Sequence, residues 1–156
     1  MKKKYIALIS ILLLAAAAIG GIVFASVWHT LTGYSTVLKA NWGFSLPAGA
    51  RWTQVYSADS GASFHGDGLR YHVFSYKYED PVEGMFAWSP VELETIYCAS
   101  SGEAAGAWLA ELDVPEEWYP DFAACAVQYR SKEDNSEIIL FFDNHVNRLY
   151  IVESFL

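Results

Sequence analysis

The sequence predicts an α+β protein: an N-terminal transmembrane helix, then a small antiparallel-sheet domain with two helices, in the order β-β-β-α-α-β-β-β. Three observations predict it. Residues 5–28, YIALISILLLAAAAIGGIVFASVW, carry no charge. The strand-like segments fall in two separate groups with the helix-like segments between them, which is the pattern of an α+β domain and not of a parallel doubly wound fold. The last three strand-like segments are joined by short polar loops, as in an antiparallel meander.

The apolar run comes first. About 20 apolar helical residues cross a bilayer's hydrocarbon, so 24 suffice with some tilt. Lys2, Lys3 and Lys4 precede the run and no basic residue directly follows it. This places the N-terminus in the cytoplasm and the remainder outside it. The division expected is a membrane anchor or signal segment over 1–28, a stalk over 29–41, and an extracytoplasmic domain over 42–156. Cleavage after Ala25, with Val23 two residues earlier, is the alternative and would give a secreted protein. The run is longer than the usual core of a signal peptide, which favours the anchor. The small-residue stretch AAAAIGG, residues 15–21, would also let a second membrane helix approach closely.

In the domain, WGFSLP (42–47) is expected as a short strand closed by Pro47. RWTQVYS (51–57) alternates and is expected as a second strand, with Trp52 and Val55 facing the core. A loop of small and polar residues, ADSGASFHGDG, leads into LRYHVFSYKY (69–78). That stretch is rich in aromatic and β-branched residues and forms the strongest strand pattern of the first half. EDPVEGMFA is expected as a loop. SPVELETIYCAS (89–100) is expected as a helix, because Ser89, Pro90 and Glu92 have the spacing of a capping box. GEAAGAWLAELD (102–113) is expected as a second helix, with Gly106 weakening it. The strands FAACAVQYR (122–130), EIILFFD (137–143) and RLYIVESFL (148–156) complete the domain. The last two are apolar on both faces. One face is expected to pack on the helices, and the other to lie under the early strands or in an interface.

Charge narrows the partners. Beyond residue 28 there are seven basic side chains and all 18 acidic ones, a net charge of −11. Such a domain repels phosphate backbones, so nucleic acid is not an expected partner. Cys98 and Cys125 both lie in the exported part, where disulfides persist. A bridge between them would close a loop worth about 3 kcal/mol in the chain-entropy model.

Candidate sites are few. In SFHGDG (63–68), His65 and Asp67 are two apart and can share one side of a loop, where they could take a cation or pair for acid–base work. A metal needs three or four ligands, and only Asp59, His72 and His145 offer further ones. No metal or cofactor is therefore expected. The glycines allow tight chain reversal, and Asp67–Gly68 is a strong turn dipeptide. No nucleophile motif or phosphate loop is present. Of six tryptophans, Trp88, Trp118 and the adjacent Tyr119 fall in loop-like segments, where aromatic faces anchor partners. The expectation is a non-catalytic binding or accessory protein that contacts a membrane or envelope partner through Trp88, Trp118, Tyr119, His65 and Asp67. The alternative is a metal-dependent or hydrolytic enzyme using His65 and Asp67.

SFHGDG leading into an aromatic strand, together with LYIVES near the C-terminus, resembles small extracytoplasmic or membrane-anchored proteins of Gram-positive bacteria. The resemblance implies a bacterial, exported protein and carries no activity with it.

Overall fold

The computed structural model describes residues 33–61, 67–90, 95–96 and 99–156. Residues 5–28 lie outside these. Among the described residues no helix is long and apolar enough to cross a membrane. The chain divides into two compact units, Met1–Leu46 and Pro47–Leu156.

The described part of the first unit is mostly one helix, α1 (Tyr34–Trp42), which occupies much of the expected stalk. Leu38 and Trp42, four apart and so on one side of the helix, are both buried. Gly43 ends the helix at φ 76°, a left-handed conformation that costs glycine nothing, and its N–H donates to the Lys39 carbonyl at 3.1 Å. The expected strand over WGFSLP is therefore not formed. Trp42 belongs to α1, and residues 44–47 are irregular. Ser35 Oγ accepts the Leu46 N–H at 3.0 Å.

The second unit is built on one antiparallel sheet. Its strands are β1 (Thr53–Asp59), β2 (Gly68–Ser75), β3 (Ser89–Pro90), β6 (Ala126–Ser131), β7 (Glu137–Asp143) and β8 (Arg148–Phe155), ordered β1-β2-β8-β7-β6-β3. A separate two-residue hairpin pairs β4 (Thr95–Ile96) with β5 (Ala99–Ser100). The helices are a single turn, α2 (Asp80–Glu83), and α3 (Ser101–Glu111). The expected α+β antiparallel class holds, and β6, β7 and β8 form the expected meander. The first strands do not cover the sheet's second face. They extend the sheet instead, because β2 pairs with β8 along its whole length.

Register sorts the side chains onto two faces. Tyr56, Val73, Tyr150, Phe141 and Val127 lie opposite one another across five strands on the first face. Ser57, His72, Ile151, Leu140 and Gln128 form a matching row on the second. The first face packs against Ala105 and Leu109 of α3, with Val114, Cys125 and the edge of Phe122 closing the core. On the second face Ile138, Leu140 and Ile151 have no exposed surface at all. Complete burial of such side chains contributes about 1.5–3 kcal/mol each. Burial on both faces explains why EIILFFD reads as a continuous apolar run instead of an alternation.

The expected helix over 89–100 is a correction. Its described residues are extended: Ser89 and Pro90 pair with Val127 and Ala126, and Thr95–Ile96 pairs with Ala99–Ser100. The segment holds Val91, Thr95 and Ile96, β-branched residues that lose rotamer freedom in a helix and suit strands. The capping box forms at the second Ser-x-x-Glu of the sequence. Ser100 Oγ accepts the Glu103 N–H at 3.2 Å, and Glu103 Oε2 accepts the Ser100 N–H at 2.8 Å. Val55 is also corrected. A bulge between Gln54 and Tyr56 leaves it without an opposite residue, 40% exposed, and Tyr56 takes the core-facing place.

Candidate functional site

The hairpin β1–β2 carries the His65–Asp67 motif, and its base is tightly bonded. Ser60 donates its N–H to the Leu69 carbonyl at 3.0 Å, and its Oγ accepts the Leu69 N–H at 2.8 Å. Asp59 Oδ1 accepts the Gly61 N–H at 2.7 Å, an Asx turn, and Oδ2 takes the Arg70 Nε at 3.1 Å. Gly68 lies so close that a Cβ there would sit 2.7 Å from Ser60 Oγ. Serine and aspartate side chains thus do the local backbone bonding that a chain reversal needs.

Beside this base lies an open groove of about 520 Å³, lined by Ser60, Asp67, Trp108, Glu111, Ser154 and Phe155 among others. Trp108 and Glu111, three apart on α3, line it together with Asp67 at the hairpin base. The lining combines two carboxylates, two serine hydroxyls and two aromatic rings. Such a surface can stack a flat or apolar group while accepting hydrogen bonds from a donor or cation. His65 lies outside the described residues, so its relation to Asp67 is not part of this geometry.

Of the further metal-ligand candidates, Asp59 lines a small pocket of about 40 Å³ together with Asp67 and Arg70. Asp59 is held by Arg70. His72 lies on the second face of the sheet beside Phe74, with ring centroids 6.1 Å apart. Burial first, then the nearby Arg70 charge, lowers its pKa to about 4, so the ring is neutral at pH 7. His145 lies in the β7–β8 turn, its N–H donating to Asp143 Oδ1 at 2.9 Å. Among the described residues no three His, Cys, Asp or Glu side chains are placed to hold a metal.

The three loop aromatics are all engaged in packing. Trp88 donates its indole N–H to the Val82 and Glu83 carbonyls and stacks on Phe142, with centroids 5.2 Å apart. Trp118 stacks on Tyr56 at 4.9 Å and 16°, with the Arg148 guanidinium 5.3 Å from the ring centre. Its carbonyl accepts the Tyr71 hydroxyl. Tyr119 packs half-buried against the first-face core. Each ring keeps part of its surface open, on a frame that fixes its orientation.

Cys125 is a buried thiol in the core, pushed up to about 12, first by burial and then by the Asp143 carboxylate. Its expected disulfide partner, Cys98, lies outside the described residues.

Trp108, which is half-buried and packs against the first-face core, Glu111 and Phe155 are not among the candidate site residues legible in the sequence. Their i, i+3 spacing was visible for the helix pair, but no local signal brings the end of α3 beside the β1–β2 hairpin and the end of β8. Comparison with protein-family models, curated proteins and solved structures finds no match for this chain.

Proposed function

We propose that this chain is a non-catalytic binding or accessory protein of the bacterial cell envelope. Residues 5–28 hold it in the membrane, and the C-terminal domain contacts a membrane or envelope protein from the outer side. The lysines before an uncharged run support the placement. The observation that carries the binding role is the groove at the hairpin base, where Asp67, Glu111 and Trp108 converge from elements distant in sequence. Trp118 and Tyr119 add half-buried aromatic surface held in one orientation.

The test is crosslinking of the full-length tagged chain in its own membranes, with the captured proteins identified. A specific partner is expected, and its recovery should fall at least tenfold in the Trp108→Ala, Asp67→Asn double variant. Equal capture by parent and variant would refute the groove. The second reading, metal-dependent or hydrolytic chemistry at His65 and Asp67, draws on the position of Asp67 in the groove wall. It requires that zinc raise the melting temperature and EDTA lower it. No shift with either removes the metal form of that reading.

A further inference from the structure

The groove at the hairpin base gathers three side chains that the domain leaves without polar or ring partners. Trp52 meets Phe74 edge-on, Trp88 stacks on Phe142, and Trp118 stacks on Tyr56 with Arg148 over its ring. Among the described residues no ring and no cation lies on Trp108, and its indole N–H makes no hydrogen bond. The side chains of Asp67 and Glu111 likewise make no ion pair and no hydrogen bond, whereas Asp59 is held by Arg70. No lysine, arginine or histidine is among the described residues that line the groove. Arg70 and Lys132 approach the groove residue Phe155, at 4.7 and 6.0 Å from its ring centre, but Arg70 is already paired with Asp59 and neither lines the groove. A third carboxylate lies close by. Glu137 stands opposite Ser154 in the β7–β8 ladder, is 3% exposed, and bonds the Tyr129 hydroxyl.

Resting on the reading of this groove as the partner-binding site, we infer that its occupant is an arginine side chain of the partner protein. Charge complementarity requires a cation: two unpaired carboxylates line the groove, and no basic side chain of the described residues balances them. The volume of about 520 Å³ lies within the range of about 300–1,000 Å³ usual for ligand sites, so it admits a long side chain with its flanking backbone. A guanidinium suits the lining better than an ammonium. It is planar and weakly hydrated, so it can lie on the Trp108 ring, and its five N–H donors form a fixed fork that several acceptors can share. Asp67, Glu111 and the Ser154 hydroxyl supply those acceptors. The Trp108 indole N–H remains to donate to a carbonyl, which a peptide brings and a bare metal ion does not. Arginine is also the charged residue most often found at the energetic centre of protein interfaces.

The experiment uses the full chain, isotope-labelled and purified in detergent, and follows the Trp108 indole N–H resonance. The probes are blocked Gly-Gly-Arg-Gly-Gly peptides and their counterparts with lysine, or with uncharged citrulline, in place of arginine. The arginine peptide should shift the resonance saturably. It should bind at least tenfold more tightly than the citrulline peptide and at least threefold more tightly than the lysine peptide. Glu111→Gln, at an exposed position where folding is not at stake, should weaken it at least threefold, and so should Asp67→Asn. Glu116→Gln with Glu117→Gln removes two exposed carboxylates outside the groove lining and should leave binding unchanged. No shift at millimolar peptide overturns the inference. So does equal binding of the citrulline peptide, or of the lysine peptide, which would mean that any cation is taken. An equal loss in the Glu116, Glu117 variant would assign the binding to bulk charge and also overturn it. A partner protein lost by the Trp108→Ala, Asp67→Asn variant, without any preference for arginine, overturns the inference and leaves the groove as the docking site. Equal capture by parent and that variant defeats the reading of the groove itself, and the inference with it, whatever the peptides do.

Discussion

Two Ser-x-x-Glu spacings occur 11 residues apart, Ser89–Glu92 and Ser100–Glu103, and the structure uses the second as a capping box. Replacing Ser100 by alanine removes the acceptor for the Glu103 N–H, held at 3.2 Å, and releases the Glu103 carboxylate from the 2.8 Å bond it makes in return. Loss of an N-cap side chain costs about 1 kcal/mol, within a range of roughly 0.5–2. The site is only half-buried, so water can satisfy the freed N–H and the lower half of that range is expected. Ser89 instead joins β6 through backbone pairing, and its alanine variant should change stability by less than about 0.5 kcal/mol. Urea unfolding of both variants followed by tryptophan fluorescence checks this, with the slope m unchanged so that the midpoint reports stability. A costly Ser89→Ala beside a neutral Ser100→Ala would refute the assignment. It would restore a helix starting at Ser89.

Two further outcomes are expected. A Cβ at Gly106, within α3, would meet nothing within 4 Å, so Gly106→Ala should stabilise the domain by about 0.5–1 kcal/mol, and an unchanged or lower midpoint would contradict it. His72 binds its proton less readily folded, near pH 4, than unfolded, at about 6.5. The unfolded chain therefore holds more protons between these values, and stability should fall as pH drops from about 6.5 to 4 and be unaffected by this group above that window. His72→Gln should flatten the slope in that window, and a slope identical to the parent's would show that other groups cause it.

Side-chain pattern carried the central strands. EIILFFD matches β7 residue for residue, and RLYIVESFL misses β8 only at Leu156, because turn residues flank the first and precede the second and no helix-favouring signal competes. The first part of the domain was less legible. Val55 fits an alternating pattern, but a bulge inserts one residue into the ladder and reverses which neighbour faces inward. A bulge depends on the partner strand's register, which no local pattern records. WGFSLP contains apolar residues that suit a strand, yet Trp42 completes a helix because Gly43 can turn left-handed there.

The candidate site divides along the same line. By itself the sequence showed a stretch rich in aspartate, serine and glycine between two strand-like segments, residue types that bond and bend backbone locally. It also determined the charge of the domain and the uncharged run before it, which are sums over composition. Only the tertiary structure decided that Asp67, Trp108 and Glu111 line one groove, that Trp118 stacks on Tyr56 with Arg148 over its ring, and that β1 is the last of the described strands on its side of the sheet. Each of these joins segments tens of residues apart. Such contacts follow from which strands pair and in what register, and that is settled by the packing of the whole sheet.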